Sequence, residues 1–270
     1  MRRIAVVAHK GGVGKTSSVL ALAACWAGQG LRVVVVDADT QANATAVLLG
    51  GAEPKRPTLS EVLAGEATAE SAAVPTNIDG VEIIPAEPGL ADVNASLAAE
   101  VGRERRLRVA LANFSGRDVV LVDTGPTRSL LTTNVLNAVG EVVVPIAPGL
   151  FGFLGLGQLQ ADIALVGRFL ENKRLRLAGV FLTMMDRTAV SRDFEREIRE
   201  ALGPIAFDAT VPTSTKFREA EARRTTIIGH APRSAGAAAY QALALEVWNR
   251  GGTQERDEPA GRDLVGDHAA

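Results

Sequence analysis

The run "AHKGGVGKTS", residues 8–17, has the residue types and spacing to hold a chain of phosphates. Gly11, Gly12 and Gly14 let the backbone wrap closely around phosphate oxygens and turn its N–H groups inward, backed by the positive end of a following helix. Lys15 is placed to reach β- and γ-phosphates and Thr16 to put its hydroxyl on Mg²⁺, with Val13 and Ser17 completing the loop. The glycine that usually opens such a loop is His9 here, and a second lysine, Lys10, follows it. His9 has no histidine or cysteine close by in the sequence, which argues against a metal ligand. Lys10 raises the question of which charge a second cation serves.

Carboxylates stand where such chemistry needs them. Asp123 closes the apolar run "DVVLVD" (118–123), at the carboxyl edge of a sheet where an acid can hold the metal's water shell. Asp37 and Asp39 close "RVVVVD" (32–37) and open "ADTQANAT". Two carboxylates near a γ-phosphate repel unless Mg²⁺ or a positioned water lies between them. Helix capping or turn formation is the alternative for Asp37 and Asp39, and residue types alone leave both readings open.

Six apolar runs must carry these residues: 3–8, 32–37, 81–86, 118–123, 141–147 and 177–185. They are apolar at nearly every position, as suits strands covered on both faces, and they alternate with stretches of helical length such as 15–30 and 153–173. The fold class expected is α/β, a doubly wound, mostly parallel sheet with helices on both faces, forming a single domain over residues 1–250. The polar remainder, 251–270, reads as a disordered tail. The chain has 270 residues, 47% of them hydrophobic, which is ample for a full core. A net charge of −2 means that any nucleic-acid contact must come from a local basic patch. The single cysteine, Cys25, excludes a disulfide framework and reads as a buried apolar residue in a reducing, cytoplasmic setting. No uninterrupted apolar run approaches the ~18 residues of a membrane span.

"KGGVGKTS", "VVVVDADTQANAT" and "DVVLVDTGP", in that order and spacing, resemble the ParA/MinD group of deviant-Walker P-loop ATPases. The likeness continues through "GVFLTMMDR" and "VPTSTKFREAE" to "APRSAGAAAYQALALEV", and is nearest in pattern to the small ParA-type members without a preceding DNA-reading domain. It implies ATP and Mg²⁺ as ligands, slow hydrolysis stimulated by a partner, and a homodimer formed on ATP binding. It further implies that Lys10 reaches the nucleotide of the opposite subunit, that Lys15 contacts phosphate, and that Asp39 positions the attacking water. Thr16, Asp37 and Asp123 are the implied metal-side residues, and Pro212 with Thr213 lie in the segment against the adenine. The sequence departs from the family at Gly125-Pro126, where two prolines are usual, at Thr40, and at Leu154, where many members carry glutamate.

The same resemblance implies DNA partition: an ATP-bound dimer that coats the nucleoid without sequence preference, released by a centromere-binding ParB-type protein. The DNA-contact candidates are Arg187, Arg192, Lys216, Arg218, Arg223 and Arg224, with Lys216 at a position where relatives place a DNA-contacting basic residue. Asp193, Glu195, Glu197, Glu200, Glu219 and Glu221 interleave with them, and such mixed faces are often only solvated. A positioning ATPase for a protein cargo is the alternative. A membrane-surface switch fits less well, because the acidic tail offers no basic amphipathic helix. A reductase with a shared iron–sulfur cluster would need more than Cys25. Trp26 and Trp248 read as core residues, "GRERRLRVAL" (102–111) as a second DNA contact or a solvated face, and "TLSEVLAG" (58–65) as a short surface helix near the dimer seam.

Overall fold

The structure is a computed structural model that describes residues 1–149 and 151–252, apart from the side chains at 94, 98, 151–154 and 252. Its strands are β1 (Arg2–Val6), β2 (Val33–Ala38), β3 (Val74–Pro75), β4 (Val81–Ile84), β5 (Val119–Thr124), β6 (Glu141–Ile146), β7 (Arg176–Met185) and β8 (Ala206–Pro212). The helices are α1 (Lys15–Ala27), α2 (Asn43–Leu48), α3 (Leu59–Ala64), α4 (Ala69–Ala72), α5 (Leu90–Ser96), α6 (Arg106–Ala110), α7 (Leu130–Ala138), α8 (Phe151–Phe169), α9 (Ala189–Leu202), α10 (Thr215–Ala222), α11 (Ile227–His230) and α12 (Ala235–Gly252). One sheet runs in the order β3-β4-β2-β5-β1-β6-β7-β8, parallel except for the β3-β4 pair. This is the doubly wound architecture that the unbroken apolar runs require.

Alternate residues of each central strand enter different cores. Ala5, Val34, Val36, Val120, Val122, Val142 and Val144 face a layer that includes Leu59, Leu107, Leu131, Leu159 and Ile198. Ile4, Val6, Val33, Val35, Val119, Leu121 and Val143 face the layer of Leu22, Trp26, Leu48, Tyr240 and Leu243. With both faces covered, the polar side chains of β1, β2 and β5 are confined to the strand ends, where Asp37 and Asp123 lie and just beyond which Asp39 follows.

Several sequence expectations need adjustment. The helix expected over 15–30 stops at Ala27, because Gly28 already caps it, placing its N–H on the Ala24 carbonyl. The one expected over 153–173 runs Phe151–Phe169. β8 escaped notice because Asp208 and Thr210 interrupt its apolar pattern, and β3 because it is only two residues long. The 58–65 helix is no surface element: Thr58 and Glu61 close a capping box, while Leu59, Val62 and Leu63 are buried. Trp26 is core, its indole donating to the Ala244 carbonyl at 3.1 Å, and Trp248 packs 6.2 Å from it. The tail expected for 251–270 lies, past residue 252, outside the described residues.

α1 is fastened to α12 by a buried hydroxyl pair. Ser18 Oγ donates to the Gly14 carbonyl at 2.6 Å and lies 2.8 Å from the Tyr240 hydroxyl. With its own proton committed to Gly14, Ser18 is the acceptor and Tyr240 the donor. Ser18→Ala therefore strands a fully buried phenol, whereas Tyr240→Phe leaves every remaining group bonded. The former should cost about 1–3 kcal/mol and the latter about 1 kcal/mol or less, an order that urea unfolding of the two variants will check.

Candidate functional site

Register places the site. Val6 pairs with Asp123 and Asp37 with Asp123 across β1, β5 and β2, so two carboxylates are direct neighbours at the carboxyl edge beside the loop that leaves β1. Gly12 and Gly14 take positive φ angles of 71° and 83°, and a Cβ built on either meets nothing within 4 Å. The loop is therefore an open cradle, shaped by backbone that other residues adopt only with strain. Thr183 on β7 anchors it from below, donating to the Val13 carbonyl at 3.1 Å.

Lys15, the first residue of α1, is buried in this edge and donates to the Lys10 carbonyl at 3.1 Å. Burial lowers its pKa, against the opposing pull of Asp123 and Asp39. Lys10 differs: its ammonium has no hydrogen bond or ion pair among the described residues and lies near Gly149, whose Cβ would come within 3.9 Å of it. Thr16 is half-buried beside Asp123 and Ser17 is exposed.

Each aspartate has a distinct place. Asp37 is wholly buried, with Oδ1 accepting from Asp39 N at 3.2 Å and Oδ2 accepting from both Thr45 N at 2.8 Å and Thr45 Oγ1 at 2.7 Å. Asp39 Oδ1 accepts from Gln41 N at 3.0 Å, closing a local turn. The turn role left open by residue type is thus realised at Asp39, Asp37 accepts from the first turn of α2 without being its N-cap, and both Asp37 oxygens already have donors. Asp123 Oδ1 accepts from Thr124 N, whereas its buried Oδ2 has no hydrogen bond of good geometry, although the Thr16 hydroxyl is near enough to favour its charge. Burial pushes the Asp37 carboxyl up to about 6 and raises Asp123 well above the ordinary range, where the neighbouring Asp37 charge adds to the rise. An orphaned carboxylate oxygen, a buried lysine and an open glycine cradle fit Mg²⁺ and a nucleotide: Asp123 and Thr16 on the metal side, Lys15 and residues 11–17 around phosphate. The metal's positive charge would relieve the repulsion between Asp37 and Asp123.

Gly125 has a geometric reason for departing from proline. A Cβ there would lie 3.3 Å from Asp39 Oδ1, so glycine lets the loop after β5 close directly on that carboxylate. Pro212 ends β8 opposite Met185, and Thr213 N donates to the Met185 carbonyl at 2.8 Å, on the same sheet edge as the cradle. Leu154 lies where side chains are outside the described set.

The six basic candidates separate by partner. Lys216 is paired with Glu219 at 2.8 Å, and together with His230 it holds the Glu219 carboxyl down to about 2. Arg224 donates to the Gly50 carbonyl at 3.1 Å, and Arg192 to the Arg187 carbonyl at 2.8 Å. Arg187, Arg218 and Arg223 are exposed, and their guanidinium groups have no partner among the described residues. In the 102–111 cluster Leu107 and Leu111 are buried and Arg108 reaches Asn137 Oδ1 and the Leu170 carbonyl, while Arg103 and Arg105 are exposed. Sequence reasoning missed Thr45, Thr183, Arg128 and Asp162, because their places depend on strand register and not on a local pattern. Among the described residues no cluster of histidine, cysteine and carboxylate suits a transition metal, and no helix is long and apolar enough to cross a membrane.

Residues 1–177 match the family model described as an AAA domain. The chain is 40% identical to the chromosome-partitioning ATPase Soj of Thermus thermophilus, covering 93% of this chain and 96% of that one. It is 36% identical to the chromosome partitioning protein ParA of Caulobacter vibrioides, covering 96% and 97%. Among solved structures, cobyrinic acid a,c-diamide synthase from Mycobacterium smegmatis with an ATP analog and magnesium superposes with a TM-score of 0.79 at 33% identity, over 93% of this chain and 97% of that one. The ATP complex of a Cyanothece McdA variant superposes with a TM-score of 0.81 at 19% identity, over 96% and 99%, a likeness of fold alone. ATP and Mg²⁺ are the ligands consistent with both the cradle and these structures.

The raised Asp37 pKa gives a pH prediction. The folded chain holds this proton up to about pH 6, while an unfolded aspartate releases it near 3.8, so the folded state binds the extra proton in between. That stabilisation is complete below the unfolded value and lost as pH rises through about 6. For Asp37 it amounts to ~3 kcal/mol at most. Urea unfolding without nucleotide or metal, from about pH 5 to about pH 8, should show wild type losing stability relative to Asp37→Asn.

Proposed function

The chain belongs to the ParA/Soj family of P-loop ATPases, and we propose that it is a partition ATPase whose ATP-bound dimer binds DNA without sequence preference. The observation that carries this reading is the contrast between two lysines at one loop: Lys15 is buried among the carboxylates, while the Lys10 ammonium stands at the rim with no partner among the described residues. A cation so placed stabilises phosphate charge when a second nucleotide-loaded subunit faces it, which makes ATP the switch for association. Asp39, held by Gln41 N and closed in by Gly125, is the residue assigned to orient the attacking water. Asp123 and Thr16 serve the metal, with Asp37 supporting from behind.

In this reading a ParB-type partner accelerates hydrolysis and so releases the dimer from the nucleoid. Arg187, Arg218 and Arg223 are the leading phosphate contacts, since each is exposed and uncommitted among the described residues. Arg192, Lys216 and Arg224 contribute only by exchanging the partners they already have. Phosphate neutralisation needs no base contact, and dimerisation doubles the number of cations offered. The chain is taken as one ATPase domain over residues 1–250, acting in the cytoplasm on nucleoid DNA.

Binding to a random-sequence duplex in ATP and in ADP, with salt varied, tests the reading. The ATP form should bind and the ADP form should not, with Asp39→Ala prolonging the complex and Lys10→Ala abolishing it. Replacing Arg187, Arg218 and Arg223 together by glutamine should make the slope of log affinity against log salt shallower by roughly 0.9 for every phosphate these side chains neutralise. Absence of DNA binding in every nucleotide state would leave the partition reading without its substrate.

A further inference from the structure

One carboxylate joins three segments of the site. Asp162, on α8, accepts from His9 Nε2 at 3.2 Å and from Arg128 Nε at 3.0 Å on its Oδ2, while Arg128 Nη2 bonds its Oδ1. His9 immediately precedes Lys10, and Arg128 lies in the same loop as Gly125, which closes on Asp39. α8 follows the β6 loop, whose Gly149 lies beside the Lys10 ammonium. The His9–Asp162 pair is enclosed, its side chains only 6% and 15% exposed, while the Arg128 side chain is 55% exposed. It also bridges two cavities. His9 and Lys10 line one of about 410 Å³, and Arg128 and Asp162 line another of about 590 Å³.

The chemistry of the contact is that of a neutral donor. His9 Nδ1 is buried and has no hydrogen-bond partner, so a proton there would be stranded. Burial lowers the imidazole pKa beyond what Asp162 restores, with Arg128 and Lys15 adding to the lowering. His9 thus gives its single N–H to Asp162, and Arg128 supplies the neutralising charge.

We propose that Asp162 is a positioning residue of the nucleotide site, holding His9 and Arg128 together so that the Lys10 end of the phosphate loop and the loop that closes on Asp39 move as one. The proposal rests on the ATPase reading for its kinetic consequence but not for its structural one. In this role Asp162 acts through the two loops it ties.

The test uses the full chain as wild type, Asp162→Ala, His9→Leu, His9→Gln and Asp162→Ala with Lys10→Ala. Amide hydrogen exchange without nucleotide is the first readout. Asp162→Ala and His9→Leu should speed exchange severalfold at both 9–12 and 125–129 while α12 is unchanged, and His9→Gln, which keeps an N–H donor, should restore protection. ATP hydrolysis is the second. Asp162→Ala and His9→Leu should lower kcat roughly tenfold with KM for ATP within about twofold of wild type, and His9→Gln should recover most of it. Adding Asp162→Ala to Lys10→Ala should cost little more than Lys10→Ala alone. Exchange that rises in one loop only or in neither, a His9→Gln as impaired as His9→Leu, or fully additive losses would each overturn the proposal. A wild-type chain that shows the linked exchange but hydrolyses no ATP would defeat the ATPase reading and leave the tie between the loops standing.

Discussion

Three aspartates and one lysine, nearly stripped of water, share the carboxyl ends of β2 and β5 and the start of α1, and the surrounding structure is organised to tolerate them. A buried charge is costly unless hydrogen-bonded or paired. Asp37 meets that condition internally, with three donations from Thr45 and Asp39. Asp123 does not, since its Oδ2 lacks a hydrogen bond of good geometry; burial raises the pKa of both carboxyls, and that of Asp123 stands well above the ordinary range. One defined carboxylate oxygen of the site thus has no well-placed protein donor among the described residues. Binding a cation there removes a penalty already present in the fold, a form of preorganisation that a relaxed surface carboxylate lacks.

The scaffold keeps this arrangement from relaxing. Sheet register sets Asp37 against Asp123: β2 offers valines to both core layers, and the donations from Thr45 N and Oγ1 to Asp37 tie this carboxylate to its place at the strand end. The phosphate loop is secured at separate points: by Thr183 at the Val13 carbonyl, by Ser18 and Tyr240 at the Gly14 carbonyl, and by His9 at Asp162. Each of these bonds is made to a carbonyl or side chain of the loop. Together they leave the loop's inward N–H groups as its free valence.

Local patterns revealed what depends on local chemistry. The glycines and lysine of 11–15 identify a phosphate cradle because few other backbones suit one, and Asp123 was legible because an unbroken apolar run must end at a sheet edge. The same logic found β1, β2, β4, β5, β6 and β7 yet missed β8, whose outward Asp208 and Thr210 resemble a loop. It placed 58–65 on the surface, because the polar Thr58, Ser60 and Glu61 hide the fact that they cap each other over buried leucines. Asp162 had no signal at all: 153 residues separate it from His9, and only the folded sheet brings them together. Charge pattern also failed to sort the arginines, since Arg108 and Arg224 look like their exposed neighbours until their carbonyl partners are seen.

The two lysines show how one backbone position can serve two charges. Lys15 is held in place by the carbonyl of Lys10, so the peptide of residue 10 belongs to the permanent part of the site. The side chain of the same residue is uncommitted among the described residues and stands at the rim. Truncating it removes a cation without disturbing the carbonyl on which Lys15 relies, whereas displacing the segment through His9 disturbs both. Residue 10 is consequently where the buried half of the site and its exposed rim are mechanically joined.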